Sequence, residues 1–233
     1  SSLAAVASEF SVDIVYGWLA MGSRHRVEVL LVSPVSPGGS HDVALKRKLY
    51  DVHGLESDRY EDDPDFATFM GIASPVLALL DRLLRSSPDE TFLLAHEFMG
   101  LPTALAVSQG SKLRTIFYAH EVSTARHIVE SAPGLDSMFY SAMNAAALEG
   151  QSIEDVFGDQ SSYPRHALVS RAHACDAIFA VGDMTEKELR FLTPALETYA
   201  IDLVYNGVPC EMIDLHLKRA SRQKLQAYAE TLL

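Results

Sequence analysis

Two His-Glu dipeptides close two short apolar runs of this chain. His96-Glu97 follows Phe-Leu-Leu-Ala at 92–95, and His120-Glu121 follows Thr-Ile-Phe-Tyr-Ala at 115–119. An imidazole titrates near neutral pH and offers both a donor and an acceptor; a neighbouring carboxylate can hold hydroxyl groups through charge-assisted hydrogen bonds. Such pairs fix where chemistry could occur more firmly than which reaction it is. They do not suit a metal, because neither pair forms His-Glu-x-x-His, the spacing that sets two imidazoles on one helical face. Arg126 follows the second pair. It can meet a phosphate or pair with Glu121 or Glu130, and the i, i+4 spacing to Glu130 favours the ion pair. Each residue also has a plain structural role to weigh: a histidine that caps a loop, and for Glu97 a carboxylate at the start of a helix over 101–109, where it complements the dipole.

Other clusters carry less chemistry. Glu56, Asp58, Glu61, Asp62 and Asp63 miss the EF-hand pattern and read as a solvated acidic loop. Pro37-Gly38-Gly39-Ser40 lacks the Lys-Ser/Thr of a phosphate-binding loop. Ser123, Ser161 and Ser170 have no G-x-S-x-G context. Tyr118, Phe139, Tyr140, Phe157 and Tyr163 could stack on sugars, with core packing as the default.

Each dipeptide needs an element to position it. Each apolar run has the length of a buried parallel strand, and a segment with helical pattern follows each one. Further strands are expected at 27–33, 177–181 and 201–205. Helices are expected at 3–21 (ended by Gly22-Ser23), 66–85, 101–109, 123–130, 137–149, 163–174, after Asp183, and at 212–233; residues 45–53 read as a strand or hairpin arm. About five strands alternating with helices predict an α/β protein with a doubly wound, mostly parallel sheet. In such sheets ligands sit at the carboxyl ends of the strands, where both dipeptides fall.

Bulk composition narrows the function class. The chain has 233 residues, 48% hydrophobic and 21% charged, with a net charge of −12. That balance argues against a nucleic-acid partner, which needs a basic footprint. No run of about 18 apolar residues suggests a membrane span. Cys175 and Cys210 are far apart and fit neither a disulfide framework nor a Cys-x-x-Cys site, pointing to unpaired thiols in a reducing, cytoplasmic compartment.

Four motifs in order carry a resemblance: His96-Glu97-Phe98-Met99-Gly100-Leu101; Thr115-Ile116-Phe117-Tyr118-Ala119-His120-Glu121; Asp176-Ala177-Ile178-Phe179-Ala180-Val181-Gly182 with Glu186 and Glu188-Leu189; and Val204-Tyr205-Asn206-Gly207-Val208-Pro209. Over roughly residues 90–210 the chain resembles the amino-terminal half of retaining GT-B glycosyltransferases, glycogen and starch synthases above all. The resemblance implies a Rossmann-like domain over 1–209, with 210–233 as hinge and helix leading to a nucleotide-sugar-binding domain beyond Leu233. It implies transfer of a hexose, glucose in the closest relatives by motif, from ADP-glucose or UDP-glucose to a glycan such as an α-glucan, with no cofactor. His120 would be the active-site histidine against the donor sugar, and Glu97 an acid that holds sugar hydroxyls. His96, Met99 and Gly100 would shape the pocket wall, Glu121 and Arg126 would lie beside it, and Asn206 would mark the hinge. The family's opening strand and Gly-Gly loop have no counterpart in the sequence that starts at Ser1-Ser2. Two other readings keep the fold: a non-catalytic module that binds a sugar or sugar phosphate, and a GT-B sugar-nucleotide epimerase. Self-association is open, with the carboxyl-terminal amphipathic helix a face for a partner.

Overall fold

The computed structural model describes residues 2–21, 25–84, 91–107, 111–131, 134–207 and 215–232. The Gly22-Ser23 stop, the end of the helix expected to reach 109, the turn and domain boundary at 208–209, and Cys210 lie outside the described residues.

The chain opens with α1 (Ser2–Phe10), β1 (Ile14–Met21), β2 (His25–Val32) and α2 (Ser40–His53). After a short 3-10 turn at Ser57–Tyr60 come α3 (Pro64–Leu84), β3 (Thr91–His96), α4 (Glu97–Leu105), β4 (Leu113–Ala119) and α5 (Ser123–Glu130). Then follow α6 (Leu135–Glu149), α7 (Ile153–Phe157), α8 (Pro164–Val169) and a 3-10 turn at Ala172–Ala174. The last elements are β5 (Ala177–Ala180), α9 (Asp183–Leu192), α10 (Pro194–Glu197), β6 (Ile201–Leu203) and α11 (Leu215–Leu232).

The protein is α/β and Rossmann-like in its general plan. Strands β3, β4, β5 and β6 form one all-parallel sheet flanked by helices. Their spatial order follows the chain, so among the described strands there is no reversal of the kind that makes a sheet doubly wound. The side-chain period of 2 separates the two faces. Ala95, Phe117, Ile178 and Ile201 are register partners, and all four are buried. This face packs under α4 and α9 and joins the main core with Leu101, Leu189 and Leu192. One residue further along, His96, Tyr118, Phe179 and Asp202 share the opposite face. That face is open: Phe92 is 62% and Leu94 51% exposed.

Two expectations for the first third of the chain are corrected. Residues 3–21 are not one helix. Ser11 adopts a positive φ of 54°, which breaks the helical path after Phe10, and the β-branched and aromatic run Ile-Val-Tyr-Gly-Trp then extends as β1. β1 pairs antiparallel with β2 from Ile14–Val32 to Met21–His25, so the expected strand at 27–33 belongs to a separate hairpin rather than to the parallel sheet. Residues 45–53 are helical, as the second half of α2. Leu45 and Leu49, one turn apart, are its buried stripe, and Gly54 ends it in the left-handed conformation at φ 63°, its N–H on the Tyr50 carbonyl.

Side chains from α2 hold the end of α4. Lys48 Nζ donates to the Ala106 carbonyl at 2.6 Å, and the His53 ring meets the Leu105 carbonyl at 2.8 Å, so both cap the end of α4. Arg171 closes the other side, with Nε on the His53 carbonyl at 2.9 Å and Nη2 on the Gly54 carbonyl at 2.7 Å. Among the described residues, α3 alone is long and apolar enough to cross a membrane. Its stripe of Phe66, Met70, Ala73 and Leu79 is buried in this molecule, and the Asp63 side chain caps its start by accepting from the Phe66 N–H at 2.8 Å.

Candidate functional site

The carboxyl ends of β3 and β4 bring both His-Glu dipeptides together. His96 and Tyr118 are cross-strand partners, and His120 lies two residues beyond Tyr118, so all three side chains share the open face. The His96 and His120 ring centroids are 4.4 Å apart, and the Tyr118 ring lies 4.3 Å from His120. Tyr118 is fixed in turn by its hydroxyl, which donates to the Val204 carbonyl at 2.6 Å just past β6. The result is an imidazole held between two flat partners. Its Nε2 is buried and has no hydrogen-bond partner. A buried polar atom without a partner costs free energy comparable to a lost hydrogen bond, so this nitrogen marks a place where a ligand atom would be favourable.

Glu97 is directed at the backbone of the loop after β4. It is the first residue of α4, adopts a positive φ of 59°, and is 8% exposed. Its carboxylate accepts the backbone N–H of His120 in a short hydrogen bond and that of Glu121 at 3.1 Å. Burial raises its pKa, against the opposing pull of those two amides. The carboxylate thus clamps the loop after β4, and a strained backbone at its own Cα lets it reach. In this geometry Glu97 positions His120; its acceptor capacity is directed at the backbone.

Gly100 has a packing role. A Cβ there would lie 2.6 Å from the Ala95 Cα, so only glycine lets α4 sit this close over the end of β3. Pro102 in the second turn of α4 is likewise buried. Met99 is half-exposed on the outer side of the helix. Arg126 forms ion pairs with both Glu121 and, at 3.0 Å, Glu130, and these carboxylates raise its pKa. Asn206 is exposed, two residues past the Val204 that Tyr118 contacts.

Three residues of this end escaped the reading of the sequence as site residues. Tyr118 completes the ring cluster, and the signal was its i, i+2 spacing to His120. Glu188 on α9 is buried and accepts the Tyr140 hydroxyl at 2.9 Å. Burial raises its pKa, with a further push from the Glu121 carboxylate. Ser123, at the start of α5, is buried with its hydroxyl unpartnered. Among the described residues no group of three or more His, Cys, Asp and Glu is arranged to hold a metal ion. Cys175 is an unpaired, buried thiol. No protein-family model matches the chain, and no curated protein matches it significantly.

Proposed function

We propose that this chain is the amino-terminal, acceptor-side half of a GT-B fold, from a retaining glycosyltransferase most similar in its motifs to glycogen and starch synthases. It would move a hexose, glucose on that resemblance, from ADP-glucose or UDP-glucose to a glycan such as an α-glucan. The observation that carries the reading is the buried, unpartnered Nε2 of His120 between His96 and Tyr118 at the carboxyl end of two adjacent parallel strands. That is where α/β sheets bind ligands. It is also the position that the four ordered motifs assign to the family's active-site histidine.

The chemistry fits what such a group can do. In a retaining transfer the bond from the sugar's anomeric carbon to the diphosphate breaks, the diphosphate leaves with the electron pair, and an acceptor hydroxyl adds on the same face and gives its proton to the departing diphosphate. Positive charge develops on the sugar ring, so preorganised polar groups matter more than proton transfer. His120 would hold the donor sugar through Nε2 and its backbone. Glu97 would act through the loop, as a positioning residue. His96 and Tyr118 would fix the imidazole plane.

Transfer of labelled glucose from ADP-glucose and UDP-glucose to glycogen, by the protein expressed from its complete gene, tests the proposal. Activity that drops about a hundredfold in His120→Ala, the worth of one preorganised transition-state contact, is the expected result. Donor binding without transfer would favour the sugar-binding module, and no response to either donor would sink the transferase reading.

A further inference from the structure

A hollow opens beside α5, next in the chain to the histidine cluster. Its volume is about 290 Å³, room for one pyranose ring. Its lining is polar yet carries no surplus of charge: Glu121 and Glu130 are matched by Arg126 and Arg165. Arg126 is held between both carboxylates, while Arg165 pairs with Asp65 at 3.0 Å and lies 4.4 Å over the Phe98 ring. A phosphate would have to displace carboxylates that already occupy these guanidinium groups. Hydroxyl groups would not, because each carboxylate keeps free lone pairs and each guanidinium keeps free N–H donors. One wall is flat and aromatic: the His127 and Tyr163 rings stack at 4.5 Å with an interplanar angle of 17°. Ser123 also lines the hollow. It is only 3% exposed, and its Oγ has no hydrogen-bond partner. Native proteins rarely leave a buried hydroxyl in that state, and a ligand hydroxyl, both donor and acceptor, would satisfy it.

We infer that this hollow is a binding subsite for an uncharged polyol of about one pyranose ring, with the Ser123 hydroxyl, the Glu121–Arg126–Glu130 row and the His127–Tyr163 stack as its contacts. The site stands on its own residues and does not depend on whether the protein transfers sugar from a nucleotide.

The test is an NMR titration of the protein with D-glucose, maltose and inorganic phosphate, following the backbone amides of residues 121–130. Saturable shifts with glucose or maltose, and none with phosphate, are expected. Ser123→Ala is a clean variant because it removes a hydroxyl that bonds to nothing, so the fold is retained and the melting temperature does not fall. It should weaken sugar binding about fivefold, the worth of one neutral hydrogen bond. His127→Ala removes half of the aromatic wall and should weaken binding as well. Shifts with phosphate but not with sugar would make this an anion site and overturn the inference. So would an absence of shifts with all three probes, or an unchanged sugar affinity in Ser123→Ala.

Discussion

The two ends of the parallel sheet use one device with opposite results. At the amino ends of β4 and β5, Asp176 accepts the Thr115 N–H at 2.8 Å, the Thr115 hydroxyl at 3.0 Å and Arg114 Nη1 at 3.0 Å, while its own N–H donates to Thr115 Oγ1. At the carboxyl ends of β3 and β4, Glu97 accepts two backbone amides across the strands. Each carboxylate ties two neighbouring strand segments together. Asp176 is half-exposed, and the Thr115 N–H holds its pKa below the usual carboxylate range. Glu97 is buried, and desolvation drives its pKa up despite two charge-assisted hydrogen bonds. Geometry sets which strands are tied; burial sets the sign of the charge's contribution. The fully satisfied end reads as scaffold. The end with a strained backbone, a raised carboxyl and two unpartnered buried atoms reads as the working end.

That contrast can be broken most forcefully at Gly100. A Cβ against the Ala95 backbone must push α4 off β3 and carry Glu97 with it, so Gly100→Ala should cost about 3 kcal/mol in urea unfolding. Next come the two carboxylates. Glu97→Ala removes a buried carboxylate and leaves two part-buried amides without an acceptor, for about 2–3 kcal/mol, whereas the carboxylate removed in Asp176→Ala is itself exposed and water can take its place, for about 1 kcal/mol. Equal costs would mean that burial does not separate the two ends.

The smallest effect is the sharpest, because its sign reverses between the ends. The raised pKa of Glu97 makes its contribution full below the ordinary glutamate value and lost as pH rises through the raised pKa. The lowered pKa of Asp176 makes its contribution full above the ordinary aspartate value and lost as pH falls through the lowered pKa. Melting curves of the protein, Glu97→Gln and Asp176→Asn from about pH 7 to about pH 3 resolve the two. On acidification the parent protein should first gain on Glu97→Gln. Only below the ordinary aspartate range should it lose its advantage over Asp176→Asn. Parallel shifts of both gaps would remove the distinction.

The parallel sheet was legible because its strands are short apolar runs, each followed by a helical pattern, and the His-Glu pairs fell at their ends. The early chain was not. β1 is apolar on both faces, with Val15, Trp18 and Leu19 all exposed, so it lacks the period-2 alternation that separates a strand from an apolar helix. α2 was obscured by its many charges, although Leu45 and Leu49 carried the helical spacing. At the candidate site, residue types placed both dipeptides at strand ends, as the structure has them, but did not give their contacts. Gly100 and Pro102 look like breakers in sequence, so α4 was expected to begin at 101. Its true start puts Glu97 in the left-handed region and aims its carboxylate at the backbone, which no spacing rule announces. Whether a hydroxyl such as that of Ser123 finds a partner is likewise decided only by tertiary packing.

The buried thiol of Cys175 has a practical consequence. Desolvation pushes its pKa up to about 12, so at neutral pH it is almost wholly protonated as well as enclosed. A thiol reagent can reach it only in the moments when the neighbourhood of Thr115 and Asp176 opens. With Cys210 replaced by serine, the labelling rate of this one sulfur becomes a clock for the breathing of the sheet's scaffold end.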